Sequence, residues 1–196
     1  MIDLATLDAL YALKDHKRVG WQIRGIGDPE TVADHSWGTA LLCLLYAEAA
    51  GVEVDRAAAM ALVHDAAEAL TGDVAARVDE SDRTITLQQK QENERAAIEQ
   101  LFPATGSAAP VRELWQEYEA SATAEAQFVR DMNLVDMCLQ ALRYQRDRRY
   151  DINARYASTG GFERLDEFFA TAESRLCTQT GHELYRRIYS EYLKYC

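Results

Sequence analysis

ALVHDAAEALTGDV, residues 61–74, sets His64 directly before Asp65 inside a run that is otherwise small and apolar. The neighbours Ala61, Leu62, Val63, Ala66, Ala67, Ala69 and Leu70 carry no polar head, so the pair is buried unless something satisfies it. On a helix ending near residue 71, Glu68 follows Asp65 by three positions and His64 by four, which brings three polar heads to one side. A divalent metal would satisfy them. A core histidine hydrogen-bonded to an aspartate would equally explain the dipeptide taken alone.

Outward from this stretch the apolar period is helical nearly throughout, with three prolines and no alternating apolar run. It predicts helices over 3–16, 30–50, 55–71, 82–102, 109–119, 122–147, 162–175 and 179–195. Asp28 followed by Pro29 reads as an N-cap with proline at the first helical position, and Asp55 as a second cap. Gly51 closes the helix between them. With neither an internal repeat nor a Gly/Ser/Pro-rich linker, residues 1–196 read as one all-α domain.

Composition bounds the function. Apolar residues at 48% and charged residues at 27% are globular values, and 196 residues suffice for a real core. A formal charge of −11 argues against a nucleic-acid duplex as partner, since that binding neutralises phosphates with Lys and Arg. Arg143, Arg146, Arg148 and Arg149 cluster in RYQRDRRYD, where the end of a long helix favours cations in any case. The opening MIDLATLDALYALKDHKRVG lacks a secretory pattern, and no run approaches the roughly 18 apolar residues of a membrane span. These features predict a cytoplasmic protein with no membrane partner. Cys43, Cys138, Cys177 and Cys196 show no metal-like spacing and read as reduced thiols.

A second histidine, His35 in PETVADHSWGTALL, stands near a helix start from which it can face an adjacent helix end. Together with His64, Asp65 and a later carboxyl on a long helix, it offers a transition metal two imidazoles and hard oxygen ligands. His16 and His182 read as solvent or helix-end residues, so one metal is expected rather than two.

From about residue 16 to 148, through RVGWQIRGIGDPETVADHSW, ALVHDAAEALTGDV and LWQEYEASATAEAQFVRDMNLVDMCLQALRY, the chain resembles the HD-domain metal-dependent phosphohydrolases. More narrowly, it is similar to the branch holding bacterial 5'-deoxynucleotidases and their small eukaryotic and archaeal relatives. The resemblance implies an HD-domain helical bundle with His35, His64 and Asp65 as metal ligands. It implies Glu68 as the residue that orients or deprotonates the attacking water, and Asp73 as a further catalytic carboxylate. Trp21 falls on a tryptophan near the sugar, where it disfavours a 2'-hydroxyl.

Two departures stand out. The family's last ligand is usually an aspartate, in a motif like ADKLDMLLQALEYE, and MNLVDMCLQALRYQ places Asn133 there. An amide still offers its carbonyl oxygen, but the site loses one formal negative charge and should hold its metal more weakly. Asp136, one turn on, is placed to compensate directly or through water, whereas Asp131 points about 200° away. Gly20 stands where the bacterial enzymes carry a phosphate-contacting arginine, which leaves Arg18, with Arg24 nearby, to replace it.

The resemblance thus implies an enzyme using one divalent metal (Mn, Co, Fe, Zn or Ni, or else Mg) to release phosphate from deoxyribonucleoside 5'-monophosphates, as a homodimer. Triphosphate release from deoxynucleoside triphosphates is the nearest alternative. A binding or signalling module that lost turnover is the second, motivated by Asn133. An HD-type oxygenase is the third, although it needs two irons and more histidines. Arg18 and Arg24 also read as surface charges, Trp21 as core and Asp73 as a helix cap. In the extension 150–196, Tyr185, Ile188, Tyr189, Tyr192 and Tyr195 form a packing stripe that covers the domain or builds a dimer interface.

Overall fold

Two long helices, α3 (Val32–Ala50) and α8 (Ala124–Arg146), carry the architecture in the computed structural model, which describes residues 2–75, 85–151 and 162–196. The start of α3 is fixed by a capping box: Thr31 Oγ1 accepts from the Asp34 backbone N–H, and the Asp34 carboxylate accepts from that of Thr31. It ends at Gly51, whose φ of 74° is the left-handed conformation that glycine adopts without penalty. The expected start at Asp28 and Pro29 is corrected, because both are held outside the helix. Lys17 Nζ donates to Asp28 at 2.8 Å and to the Pro29 carbonyl at 2.9 Å, while Lys17 and Thr31 pair in an isolated bridge.

α4 (Val54–Val63) packs along α3 through Ala57, Met60 and Ala61, and its cap position is Glu53, with Asp55 in the first turn rather than capping. The helix expected over 55–71 is broken. α4 stops at Val63 and α5 (Glu68–Thr71) starts afresh, with a tight turn between them. α6 (Leu87–Leu101) and α7 (Ala109–Ala120) close one side of this break, burying Ile98, Leu101 and Trp115 against Ala66 and Ala67. The first three residues of the helix expected over 82–102 lie outside the described residues.

α8 presents Phe128, Met132, Val135 and Tyr144 to the main core, where each large apolar side chain removed from water contributes roughly 2 kcal/mol. α9 (Asp166–Glu173) and α10 (Gln179–Tyr192) pack against it. The tyrosine stripe covers this core, with Tyr185, Ile188 and Tyr192 buried and Tyr189 stacked between the two tyrosine rings at 5.7 and 6.1 Å. Asp131, fully buried, accepts from the backbone N–H groups of Cys177 and Thr178 and from the Thr178 hydroxyl, tying α8 to the start of α10.

At the N-terminal end, α1 (Leu4–Tyr11) leads through a 3₁₀ turn into α2 (Val19–Ile23), a five-residue helix too short to show a period in sequence. Among the described residues every regular element is helical, so the all-α class holds. No described helix is long and apolar enough to cross a membrane.

Candidate metal centre and substrate cavity

His35 sits one turn inside α3, fully buried, with its backbone N–H on the Thr31 carbonyl at 3.1 Å. His64 ends α4. Beyond it, Ala66 N–H bonds to Val63 O at 3.0 Å and Glu68 N–H to Asp65 O at 3.0 Å. These three-residue closures wind the chain tighter than an α-helix and turn Asp65 in toward His64. Glu68 then opens α5 as a buried side chain, so the three polar heads meet through a turn rather than along one continuous helix.

His64 Nδ1 lies 2.7 Å from the Ala61 carbonyl, which can only accept, so that nitrogen carries the proton and Nε2 keeps its lone pair. His35 Nδ1 lies 2.6 Å from Asp136 Oδ2, which directs the other Nε2 inward in the same way. Asp65 Oδ2 stands 3.2 Å from His64 Nε2 and 3.7 Å from His35 Nε2, yet among the described residues neither nitrogen has a hydrogen-bond partner, and neither has Glu68 Oε2. Orphaned buried nitrogens are costly. The ligand atoms of His35, His64 and Asp65 all fall within 4.8 Å of one another, a donor set of two imidazoles and a carboxylate that fits a divalent transition metal.

Asn133, on α8, lines the same cavity as His64, Asp65 and Glu68, and its Nδ2 donates to the Tyr118 hydroxyl at 2.8 Å. Asp136 does not take up the compensating position its spacing allowed. It backs His35 on the side away from Asp65, and it reaches there because residue 38 is glycine: a Cβ at Gly38 would lie 2.0 Å from Asp136 Oδ1. Asp131 serves the α10 cap, in agreement with its exclusion as a ligand.

Charge is concentrated here. Burial works to raise the Asp65 carboxyl, but the charge that His64 and His35 carry when protonated, together with Arg18, outweighs it and holds that group well below the usual carboxylate range. Glu68 goes the other way: burial pushes it well up, Asp65 and Asp73 add to the rise, and Arg18 and Lys90 only partly oppose it. Burial works against the charge on Arg18, yet Asp73 and Asp65 raise its pKa.

The cavity holds about 250 Å3. On its wall Arg18 Nη1 stands 3.5 Å from Asp65 Oδ2, and Asp73 accepts a hydrogen bond from the Val19 backbone, fixing the turn that presents Arg18. Trp21 is 1% exposed, its indole N–H on Glu30 at 2.8 Å and its ring stacked on Phe168 with centroids 3.9 Å apart. A Cβ at residue 20 would already approach Phe168 at 3.3 Å, so Phe168 fills the space beside Gly20.

Arg24 is not brought to this site. It is buried elsewhere, donating to the carbonyls of Phe162 and Arg164 and lying 4.0 Å from Glu167, and thereby pins the entry to α9. Three cavity residues carried no usable sequence signal. Phe168 sits in the extension that showed only packing periodicity, Tyr118 lies inside the LWQEYEA stretch, and Lys90, bound to Glu94 at 2.9 Å, is one charge on a strongly charged helix.

The chain is similar to several known proteins. A family model described as HD domain matches residues 10–170. The chain is 39% identical over 136 residues to the 5'-deoxynucleotidase HDDC2 of Xenopus laevis, a match covering 68% of this chain and 64% of that one. The chain therefore spans a little under two thirds of that relative's length. It is 34% identical over 146 residues to the 5'-deoxynucleotidase hdd1 of Schizosaccharomyces pombe, covering 71% of each. Among solved structures, the PH0347 protein from Pyrococcus horikoshii OT3 superposes with a TM-score of 0.71 at 27% identity, over 97% of this chain and 98% of that one. A predicted metal-dependent phosphohydrolase from Magnetospirillum magnetotacticum MS-1 gives 0.68 at 25% identity, over 100% and 97%.

Proposed function

The chain belongs to the HD-domain family, and from that premise we propose that it is a metal-dependent phosphohydrolase releasing phosphate from deoxyribonucleoside 5'-monophosphates. One observation carries the reading: two imidazole nitrogens without partners converge with Asp65 at the end of a cavity whose walls hold Glu68 and Arg18. His35, His64, Asp65 and the Asn133 carbonyl would hold one ion. Imidazole and oxygen donors together favour Mn, Co, Fe, Zn or Ni over Mg. When bound, such an ion neutralises a phosphate oxygen and acidifies water.

The chain's own residues do the rest. Arg18 forks onto the remaining phosphate oxygens, held in place by the Asp73 contact to its neighbour Val19. Glu68 holds the attacking water and takes its proton, and its burial, with Asp65 and Asp73 close by, raises its proton affinity and makes it a stronger base. Water adds across the P–O5' bond: its hydroxyl goes to phosphorus and its proton to Glu68, while the sugar oxygen departs on the opposite side and takes up a proton from solvent or by way of Asp73, the further carboxylate of the cavity. Trp21, braced by Phe168 and Glu30, lies against the 2' carbon and leaves no room for a hydroxyl.

Charge favours the monophosphate over the triphosphate. Among the described residues five carboxylates and four cations line the cavity, so even with one dication the surplus positive charge is about one unit, closer to the need of a monophosphate than of a triphosphate. The protein is proposed to act in the cytoplasm, consistent with four free cysteines. It is proposed to act as a homodimer through the outer face of α3, where Trp37, 65% exposed, stands with Leu41, Leu44 and Leu45 as an uncovered apolar stripe.

The test is a panel of deoxy- and ribonucleoside 5'-mono- and triphosphates, each with Mn²⁺, Co²⁺, Mg²⁺ or Zn²⁺, in which phosphate and triphosphate release are read separately. Phosphate from deoxynucleoside monophosphates is the expected product. Triphosphate release alone would move the reading to a triphosphohydrolase.

A further inference from the structure

Tyr118 touches several parts of the metal centre. Its ring meets the His64 imidazole edge-on at 5.2 Å, its hydroxyl accepts from Asn133 Nδ2 at 2.8 Å, and the Arg130 guanidinium lies 4.6 Å from the ring centroid. Arg130 is itself fixed by the carbonyls of Tyr118 and Glu119 at 3.0 and 3.2 Å. The ring is buried, with the Arg130 guanidinium over its face and the His64 imidazole beside it.

We propose that Tyr118 is a positioning residue that holds the Asn133 amide with its carbonyl end toward the metal, an inference that rests on the metal-centre reading above. An aspartate offers the same oxygen whichever way its terminal torsion is turned. An asparagine offers a carbonyl one way and an NH₂ the other, and the NH₂ end repels a cation and donates nothing to it. That torsion is broad and roughly two-fold, so nothing within the residue chooses between the ends. The Tyr118 contact holds one of the two: its oxygen accepts from Nδ2, which leaves Oδ1 as the end available to the cavity, the end a cation would also favour. Tyrosine suits this position whichever residue stands at 133, since its hydroxyl can accept from an amide or donate to a carboxylate. Only the asparagine depends on it.

The consequence is a coupling between two positions. Tyr118→Phe keeps the ring against His64 and beneath Arg130 and removes only the hydroxyl. With Asn133 present, it should weaken metal binding about tenfold to a hundredfold, the usual effect of losing a group that orients a ligand. In an Asn133→Asp background the same change should weaken binding less than about threefold, because a carboxylate has no wrong end.

The experiment titrates Co²⁺ into metal-stripped parent, Tyr118→Phe, Asn133→Asp and the double variant, reading affinity by calorimetry and coordination by the visible absorption of the ion. Equal weakening in both backgrounds would mean that the hydroxyl acts through His64 or general packing, and would overturn the proposal. An unchanged Tyr118→Phe affinity with Asn133 present would overturn it as well. Absence of binding in the parent and in Asn133→Asp alike would remove the metal-centre reading and this inference with it, an outcome distinct from the other two. Far-UV circular dichroism on each variant verifies that the helices remain.

Discussion

Asp136 Oδ2 lies 2.6 Å from His35 Nδ1, on the side of the imidazole opposite Asp65. The contact fixes both ring orientation and tautomer, so that Nε2 presents a lone pair to the cavity. Asp136→Ala is expected to lower metal affinity by about 10- to 100-fold while His35 stays in place. Gly38→Ala should act in the same direction, because its methyl group would displace the same carboxylate. Metal titration of the two stripped variants checks this, and an Asp136→Ala affinity equal to the parent's would make the contact incidental.

Glu68 is buried beside the proposed ligands with Oε2 unpaired, which separates its expected phenotype from theirs. Glu68→Gln should keep both metal content and substrate affinity and lose turnover by a factor on the order of 10² to 10⁴. Metal analysis alongside steady-state kinetics distinguishes the roles. A Glu68→Gln protein that no longer retains metal would make this residue a ligand rather than the base.

The proposed sugar discrimination rests on the Trp21–Phe168 stack, braced by the 2.8 Å bond from the indole to Glu30. Trp21→Ala should narrow the preference for deoxyribonucleotides, chiefly by improving kcat/KM for ribonucleotides. Competition assays with paired deoxy and ribo monophosphates measure it. A parent enzyme that already prefers ribonucleotides would refute this placement.

The helices that position the site were readable from sequence because α3 and α8 are long and uninterrupted by proline and α10 is strongly amphipathic, and the HD pair stood out in its apolar run. What could not be read shares one physical cause, namely that it depends on contacts between distant segments. Helical propensity continued through residues 61–71, yet the chain tightens at His64 to direct Asp65 and Glu68 at α3. Asp136 and Asn133 both lie on α8, and periodicity alone does not say which faces the cavity and which faces Nδ1 of His35. Arg24 sits near Arg18 in sequence, but α2 turns it away toward Arg164.

Asp131 illustrates the same limit through stability. It is fully buried and accepts from two backbone N–H groups and a hydroxyl at the start of α10. Asp131→Ala leaves those donors unpaired and should cost about 3 kcal/mol, a fall in Tm on the order of 10 °C. Activity per folded molecule should hold near the parent value at low temperature. Thermal denaturation followed by circular dichroism reads the first effect and an assay at 10–15 °C below the variant's own midpoint reads the second. An unchanged Tm would mean that α10 does not depend on this cap.

His35, His64 and Asp65 are proposed to hold one metal without which hydrolysis does not occur. The most direct measurement strips the parent and His64→Ala proteins with chelator, titrates Mn²⁺ back, and follows bound metal and phosphate release from a deoxynucleoside monophosphate in the same samples. In the parent, activity should return in proportion to metal bound, saturating near one ion per chain. In His64→Ala neither should return, although the helical circular dichroism is retained. Phosphate release from stripped parent at its full rate, or full recovery of metal binding and activity in His64→Ala, would contradict the account.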